Sequence, residues 1–207
     1  MRPGAPILDV RALARAGHVI VISRHGKPAL DRSRAISARD YVDWWAQYDA
    51  GGLLPDQVVP PHLMDALEGC GRIWTSTLRR AVETAEAAAP GREFTRDPVF
   101  VEAPLPPPLW PDWLRLKPRT WGAVARISWY LGNHREAESR REAEVRARVA
   151  AERLVAEVEA AGAPVALLAH GWFNRMMRPH LIAQGFSCVR DGGDTHWSYR
   201  IFLRPFS

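Results

Sequence analysis

Two imidazoles, at least two guanidiniums and one carboxylate stand at the ends of short apolar runs in this chain, where side chains can meet a ligand. His25 lies in Ser23-Arg24-His25-Gly26, directly after the β-branched run His18-Val19-Ile20-Val21-Ile22. Such a run reads as a buried strand. Gly26 ends it and lets the backbone approach a ligand closely. His170-Gly171 follows a second buried run, Ala163 to Ala169, and Glu102 closes a short extended piece that starts at Val99. A fourth run, Arg72 to Ser76, passes through Ser76-Thr77 into an Ala-rich helix carrying Arg79 and Arg80. The hydroxyls there are expected to cap the helix, whose free amides would attract an anion.

These side chains select among chemistries. His25, His170 and Glu102 could form a two-His-one-carboxylate metal site, but Arg24 and Arg80 beside them would repel a dication. The same arginines suit a phosphate, because a guanidinium fork matches two oxygens at once. No G-x-S-x-G elbow supports a serine triad, and no glycine-rich run ends in Gly-Lys-Ser/Thr as a P-loop would. The expectation is a phosphate pocket with no metal and no cofactor.

The elements that must position these residues alternate. A short helical piece is expected near Val10 to Ala16, and helices over Ala38 to Ala50, Pro61 to Gly69, Leu78 to about Pro90, Thr120 to Leu131, Glu136 to Ala161 and Phe173 to Gln184. A last strand is expected within His196 to Leu203. Strands alternating with helices predict an α/β fold, a three-layer α/β/α sandwich whose mostly parallel sheet has helices on both faces. In such sheets ligands bind beyond the carboxyl ends of the strands, which draws the four chemical positions together. The stripe Tyr41, Trp44, Trp45 and Tyr48 reads as core, and Val145, Val149, Leu154, Val155 and Val158 as the buried stripe of the longest helix. The Pro-rich stretch Ala103 to Pro118, with Trp110 and Trp113, reads as a stiff loop walling the site beside Glu102, ahead of an exposed PxxP ligand.

At 207 residues and 47% hydrophobic content, the chain suits one domain over 1–207. Net charge is +5 and the pI is about 9.8. The densest charged segment, Arg135 to Arg153, alternates in sign, with Glu136/Arg140, Glu142/Arg146 and Glu144/Arg148 spaced as ion pairs on a solvated helix, so no nucleic-acid partner is expected. Cys70 and Cys188 lack metal or redox spacing. The first six residues have no apolar signal core, and no run approaches the roughly 18 apolar residues of a membrane span. A cytoplasmic protein with no membrane partner is expected, and its oligomeric state is left open.

Arg24-His25-Gly26, Ser76-Thr77-Leu78-Arg79-Arg80-Ala81-Val82-Glu83-Thr84-Ala85, Glu102 and His170-Gly171, in this order, resemble the histidine phosphatase superfamily, in particular its phosphoglycerate mutase-like branch. The resemblance implies that His25 takes up a phosphoryl group, that Arg24, Arg80 and His170 bind its oxygens, and that Glu102 gives and takes the proton. Gly26, Lys27, Ser76, Gly171 and Trp172 would then bind substrate, a small-molecule phosphomonoester. The family's Asn after Arg-His-Gly is missing here, where Lys27, Pro28 and Asp31 stand. Asp31 is left out of the site because it would repel phosphate. The interval from Glu102 to His170 shows no obvious substrate-capping insertion, which favours a phosphatase over a mutase. A phosphate-binding scaffold without turnover is the remaining alternative. His18, His62, His134 and His180 read as surface or packing residues, whereas His196 could reach the pocket or make a structural hydrogen bond. Asn174, like Trp172, could line the pocket.

Overall fold

A computed structural model of the chain describes residues 8–206; the N-terminal lead-in at 1–7 and the absence of a signal core there lie outside them. Six strands form one sheet: β1 (Gly17–Arg24), β2 (Arg72–Thr75), β3 (Thr95–Arg96), β4 (Val165–Ala169), β5 (Ser187–Asp191) and β6 (Tyr199–Pro205). Their spatial order is β3-β2-β4-β1-β6-β5. β3, β2, β4 and β1 run parallel, whereas β1–β6 and β6–β5 are antiparallel. The sheet is therefore mixed but mostly parallel, and its parallel part carries the strand ends of interest.

The helices are α1 (Val10–Leu13), α2 (Ala38–Ala50), α3 (Pro61–Glu68), α4 (Arg79–Ala88), α5 (Pro118–Tyr130), α6 (Arg140–Ala161) and α7 (Gly171–Ala183). Alternation along β1 divides the core. Ile20 and Ile22 point to the face covered by α6 and α7, with Leu154, Phe173 and Met177. Val19 and Val21 point to the face covered by α1, α3 and α4, with Leu63, Leu67 and Ala85. That alternation makes the three layers. No helix among the described residues is long and apolar enough to cross a membrane.

Several expectations are corrected. β5 was not foreseen: it is an edge strand, exposed at four of its five residues. Glu102 does not end a strand; it follows a 3-10 turn at Pro98–Phe100. In α6 the buried stripe is Ala143, Ala147, Ala150, Ala151, Leu154, Val155 and Val158, while Val145 and Val149 are exposed. Alanine there lets α6 lie close against α7 and the sheet. None of the three foreseen ion pairs of that segment forms: Arg146 pairs with Glu138, Arg148 with Glu152, and Glu144 meets His180.

α2 and α5 make a third, smaller cluster around Tyr41, Trp121 and Ala125. From the interval between Glu102 and His170, the Pro-rich loop and α5 supply Leu105, Pro118, Gly122 and Arg126 to the wall of a cleft that Glu102 also lines. Trp113 in that loop is exposed, and Trp110 packs on Trp121 with ring centroids 5.7 Å apart.

Arg146 fixes the segment that carries Glu102. Its Nη1 donates to the carbonyls of Val99 and Val101 at 2.9 and 2.8 Å, its Nε and Nη2 donate to Glu138 at 2.7 Å, and its guanidinium lies 4.0 Å from the centre of the Phe173 ring. Arg146→Met leaves these acceptors unmet and is expected to lower stability by about 1–3 kcal/mol, read as a lower urea midpoint with unchanged slope. An unaltered midpoint would contradict this role.

Candidate active site

Register builds the centre of the site. β1 and β4 are parallel neighbours with Arg24 opposite Ala169, so the next residues, His25 and His170, leave the sheet side by side. Neighbouring strands lie about 4.8 Å apart; the two imidazole centroids are 5.2 Å apart. The His25 amide still donates to Ala169 O at 2.9 Å, which keeps the pair in register one residue past the ladder.

His25 is 2% exposed, and its Nδ1 lies 2.7 Å from Gly26 O. A carbonyl only accepts, so Nδ1 carries the proton and Nε2 keeps its lone pair. Burial first, then His170, Arg80 and Arg24, hold the His25 pKa well below the ordinary imidazole value. His170 is fully buried, and burial with Arg80, Arg24 and Arg146 lowers its pKa in the same way. Its Nε2 lies 2.6 Å from Ser76 Oγ, which already accepts the Leu78 amide at 3.3 Å. Among the described residues Nε2 is the acceptor within reach of the Ser76 O–H, so the hydroxyl donates to Nε2 and the His170 proton sits on Nδ1.

Ser76 thus orients His170. The N-cap of α4 is Leu78, without a side-chain cap, which corrects the expected role of the Ser76-Thr77 hydroxyls. Arg24 donates from Nη1 to Asp194 O at 2.5 Å, and its guanidinium packs over Gly171, where a Cβ would lie 3.1 Å from Arg24 Nε. Arg80 is fully buried, but its fork turns toward α2: Nη1 donates to Tyr48 O and Nη2 to Asp49 Oδ1, both at 3.0 Å. It contributes charge beside His25 with its terminal nitrogens already engaged.

Glu102 faces the N-terminus of α7. Its Oε1 accepts from Phe173 N at 2.8 Å and Ala103 N at 3.1 Å, and its Oε2 from Trp172 N at 3.2 Å. The positive end of a helix is a natural seat for a carboxylate. Arg126, 9% exposed, lies between the rings of Trp129 and Trp172 and donates to the carbonyls of Ala103 and Pro104.

The other expected positions divide. Trp172 and Gly171 line a cleft of about 340 Å³ together with Arg24 and Glu102. Tyr41, Trp44, Trp45 and Tyr48 line it too, so the stripe read as core serves both core and cleft wall. Gly26 leaves room for the Trp197 ring, since a Cβ there would lie 2.3 Å from Trp197 Cζ2. Lys27 is exposed, and its backbone is paired with Gln57. Asp31 accepts from the Ser33 amide and hydroxyl and does not line the cleft.

Sequence reasoning missed Thr84, whose Oγ1 accepts the Gly26 amide at 3.0 Å and donates to Arg80 O at 2.6 Å. It assigned no contact to Asn174, which donates to Ser23 O at 3.0 Å. Threonine in the first turns of an Ala-rich helix was the available signal for the former.

Taken together, Arg24 Nε, Arg80 Nε, His170 Nδ1 and Trp172 Nε1 are buried without a hydrogen-bond partner among the described residues. Each unmet buried donor costs about 1–3 kcal/mol, and an oxyanion can satisfy several at once. Among the described residues no group of three His, Cys, Asp or Glu is placed to hold a metal ion.

Comparison with known proteins bears on the fold and the family. The fold is similar to the open reading frame Rv3214 from Mycobacterium tuberculosis, at 17% identity over 89% of this chain and 90% of that one, with a TM-score of 0.55. It is also similar to the mycobacterial glucosyl-3-phosphoglycerate phosphatase Rv2419c, at 21% identity over 92% and 100% of the two chains and a TM-score of 0.51. A third similar structure is a phosphoserine phosphatase from Entamoeba histolytica in complex with 3-phosphoglyceric acid, at 13% identity over 91% and 93%, with a TM-score of 0.54. A search of curated proteins found no match. The histidine phosphatase superfamily (branch 1) matches residues 60–193, which hold Ser76, Arg80, Glu102 and His170 but stop short of His25. With that match over well more than half its length, the chain belongs to the histidine phosphatase superfamily.

Proposed function

We propose that the protein is a metal-independent phosphomonoesterase that works through a phosphohistidine on His25. One observation carries the reading: His25 spends its proton on Gly26 O at 2.7 Å and keeps the Nε2 lone pair, beside buried donors that have no partner among the described residues. Nucleophilic catalysis needs that lone pair and a cationic surround for the transferring group.

In the first step Nε2 bonds to phosphorus as the bond to the ester oxygen breaks and its electron pair leaves with that oxygen. Glu102 hands the leaving oxygen a proton. Its Oε2, with one amide contact at 3.2 Å, has capacity left for that proton, whereas Oε1 holds two amides. In the second step water attacks phosphorus, the phosphorus–nitrogen bond breaks, and Glu102 recovers a proton from the water. Arg24 and His170, through Nδ1–H, offset charge on the phosphoryl oxygens. Arg80 adds charge from behind the pocket. The likeness to two phosphatases supports hydrolysis over transfer to a second substrate hydroxyl, and the aromatic, arginine-bearing cleft is where the alcohol part would lie.

Acid quench of the enzyme turning over p-nitrophenyl phosphate is expected to trap an acid-labile, base-stable phosphoenzyme that is absent in His25→Ala. A fully active His25→Ala, or strict dependence on added divalent metal, would sink the proposal. Glu102→Gln is expected to slow alkyl phosphates by about 10²–10⁴ and p-nitrophenyl phosphate far less, because that leaving group departs without a proton. Equal losses on both substrates would remove Glu102 from the proton transfer.

The lowered His25 pKa has a sign that can be checked. The folded protein refuses a proton that the unfolded chain takes up below about pH 6.5, so this group lowers stability as pH falls through that value. His25→Gln is therefore expected to lose less stability than wild type between pH 7 and pH 5 in urea titrations. Parallel losses would mean that His25 titrates normally in the fold.

A further inference from the structure

The loop between β5 and β6 brings a third imidazole to the site from beyond the residues that the family match covers. The His196 ring lies 5.6 Å from the His25 ring, centroid to centroid, at 44°. Its Nε2 is buried and has no hydrogen-bond partner among the described residues. A partnerless ring nitrogen of this kind is costly unless a ligand meets it.

The loop holds His196 in place by many fasteners. Asp194 accepts from Arg178 at 2.5 Å, from Arg175 at 2.6 Å and from Arg200 at 3.0 Å. Its carbonyl accepts from Arg24 Nη1, and the Ser198 carbonyl accepts from Arg24 N at 2.9 Å. Trp197 sits at φ +62°, a region that a tryptophan adopts only where its surroundings over-determine it. Its ring fills the space above Gly26, and its Nε1 donates to Gln57 Oε1 at 3.0 Å. A side chain carried on such a loop is pre-positioned in the way catalytic groups require.

We propose that His196 is a further catalytic residue of this site, donating from Nε2–H to a non-bridging oxygen of the phosphoryl group as it reaches and leaves His25. The proposal rests on the phosphohistidine reading above. Burial, then Arg24, Arg32 and Lys27, push the His196 pKa down to about 4, so the ring works as a neutral donor. Neutrality matters here. A neutral donor stabilises charge on the transferring oxygens without adding to the cations around His25.

The test compares His196→Phe and His196→Gln with wild type, each normalised to the phosphoenzyme it can form. For His196→Phe, kcat/KM for p-nitrophenyl phosphate is expected to fall roughly 10- to 100-fold, with vanadate inhibition weakened by a similar factor. His196→Gln, whose amide N–H can take the donor's place, is expected to recover most of both. A merely structural histidine would lower the melting temperature in both variants without that rescue. Wild-type kcat/KM and vanadate inhibition in His196→Phe, or equal losses in Phe and Gln, would overturn the proposal. The His25→Ala control reads the underlying mechanism separately: a phosphoenzyme still trapped there defeats the phosphohistidine reading whatever the His196 variants do.

Discussion

The parallel pairing of β1 with β4 is the constraint on which the rest of the site depends. It puts Arg24 opposite Ala169, so that two imidazoles emerge one strand spacing apart with no loop to adjust them. A slip of one residue would turn every side chain of β1 to the other face. Ile20 and Ile22 would leave their cluster with α6 and α7, and His25 would lose its neighbour His170. The same hydrophobic alternation that stabilises the sheet therefore also fixes the geometry of the chemistry.

Around that pair the protein keeps imidazoles neutral by burial first and by nearby cations second. Arg24 and Arg80 are each satisfied in part by the fold, one by the Asp194 carbonyl and the other by Tyr48 and Asp49 on α2. Asp49 is itself pushed toward its neutral form by burial, which Arg80 opposes. Such partial satisfaction holds each guanidinium in one orientation while leaving its Nε free for an anion. The stored cost of the unmet donors is stability given up in the free protein and recovered on binding.

Much of this could be read from residue order. Val19 to Ile22 and Val165 to Ala169 are apolar enough to be buried strands wherever they lie, and their ends named His25 and His170. β5 escaped because Ser187-Cys188-Val189-Arg190-Asp191 is a short edge strand with little to bury. The α6 stripe was misplaced because valine looks more hydrophobic than alanine, whereas close helix packing selects the smaller residue. Arg80 could be assigned to the site but not its hold on α2, since a contact 31 residues away in the chain leaves no local trace. The same holds for Gly26, whose missing side chain accommodates Trp197, 171 residues downstream.

That last contact ties the first strand of the sheet to one of the last pieces of chain. β6 lies beside β1 along its whole length, and the loop leading into β6 supplies the Trp197 ring, the clamp on Arg24 and the His196 imidazole. During synthesis His25 is made early and must wait, exposed, until residues 192–205 leave the ribosome before its pocket has a wall. That wall forms in the same event that pairs β6 with β1 and shields that side of the central strand. A nascent chain stopped short of β6 would expose both an unpaired strand edge and an unfinished pocket, which gives one pairing event control over aggregation and activity together.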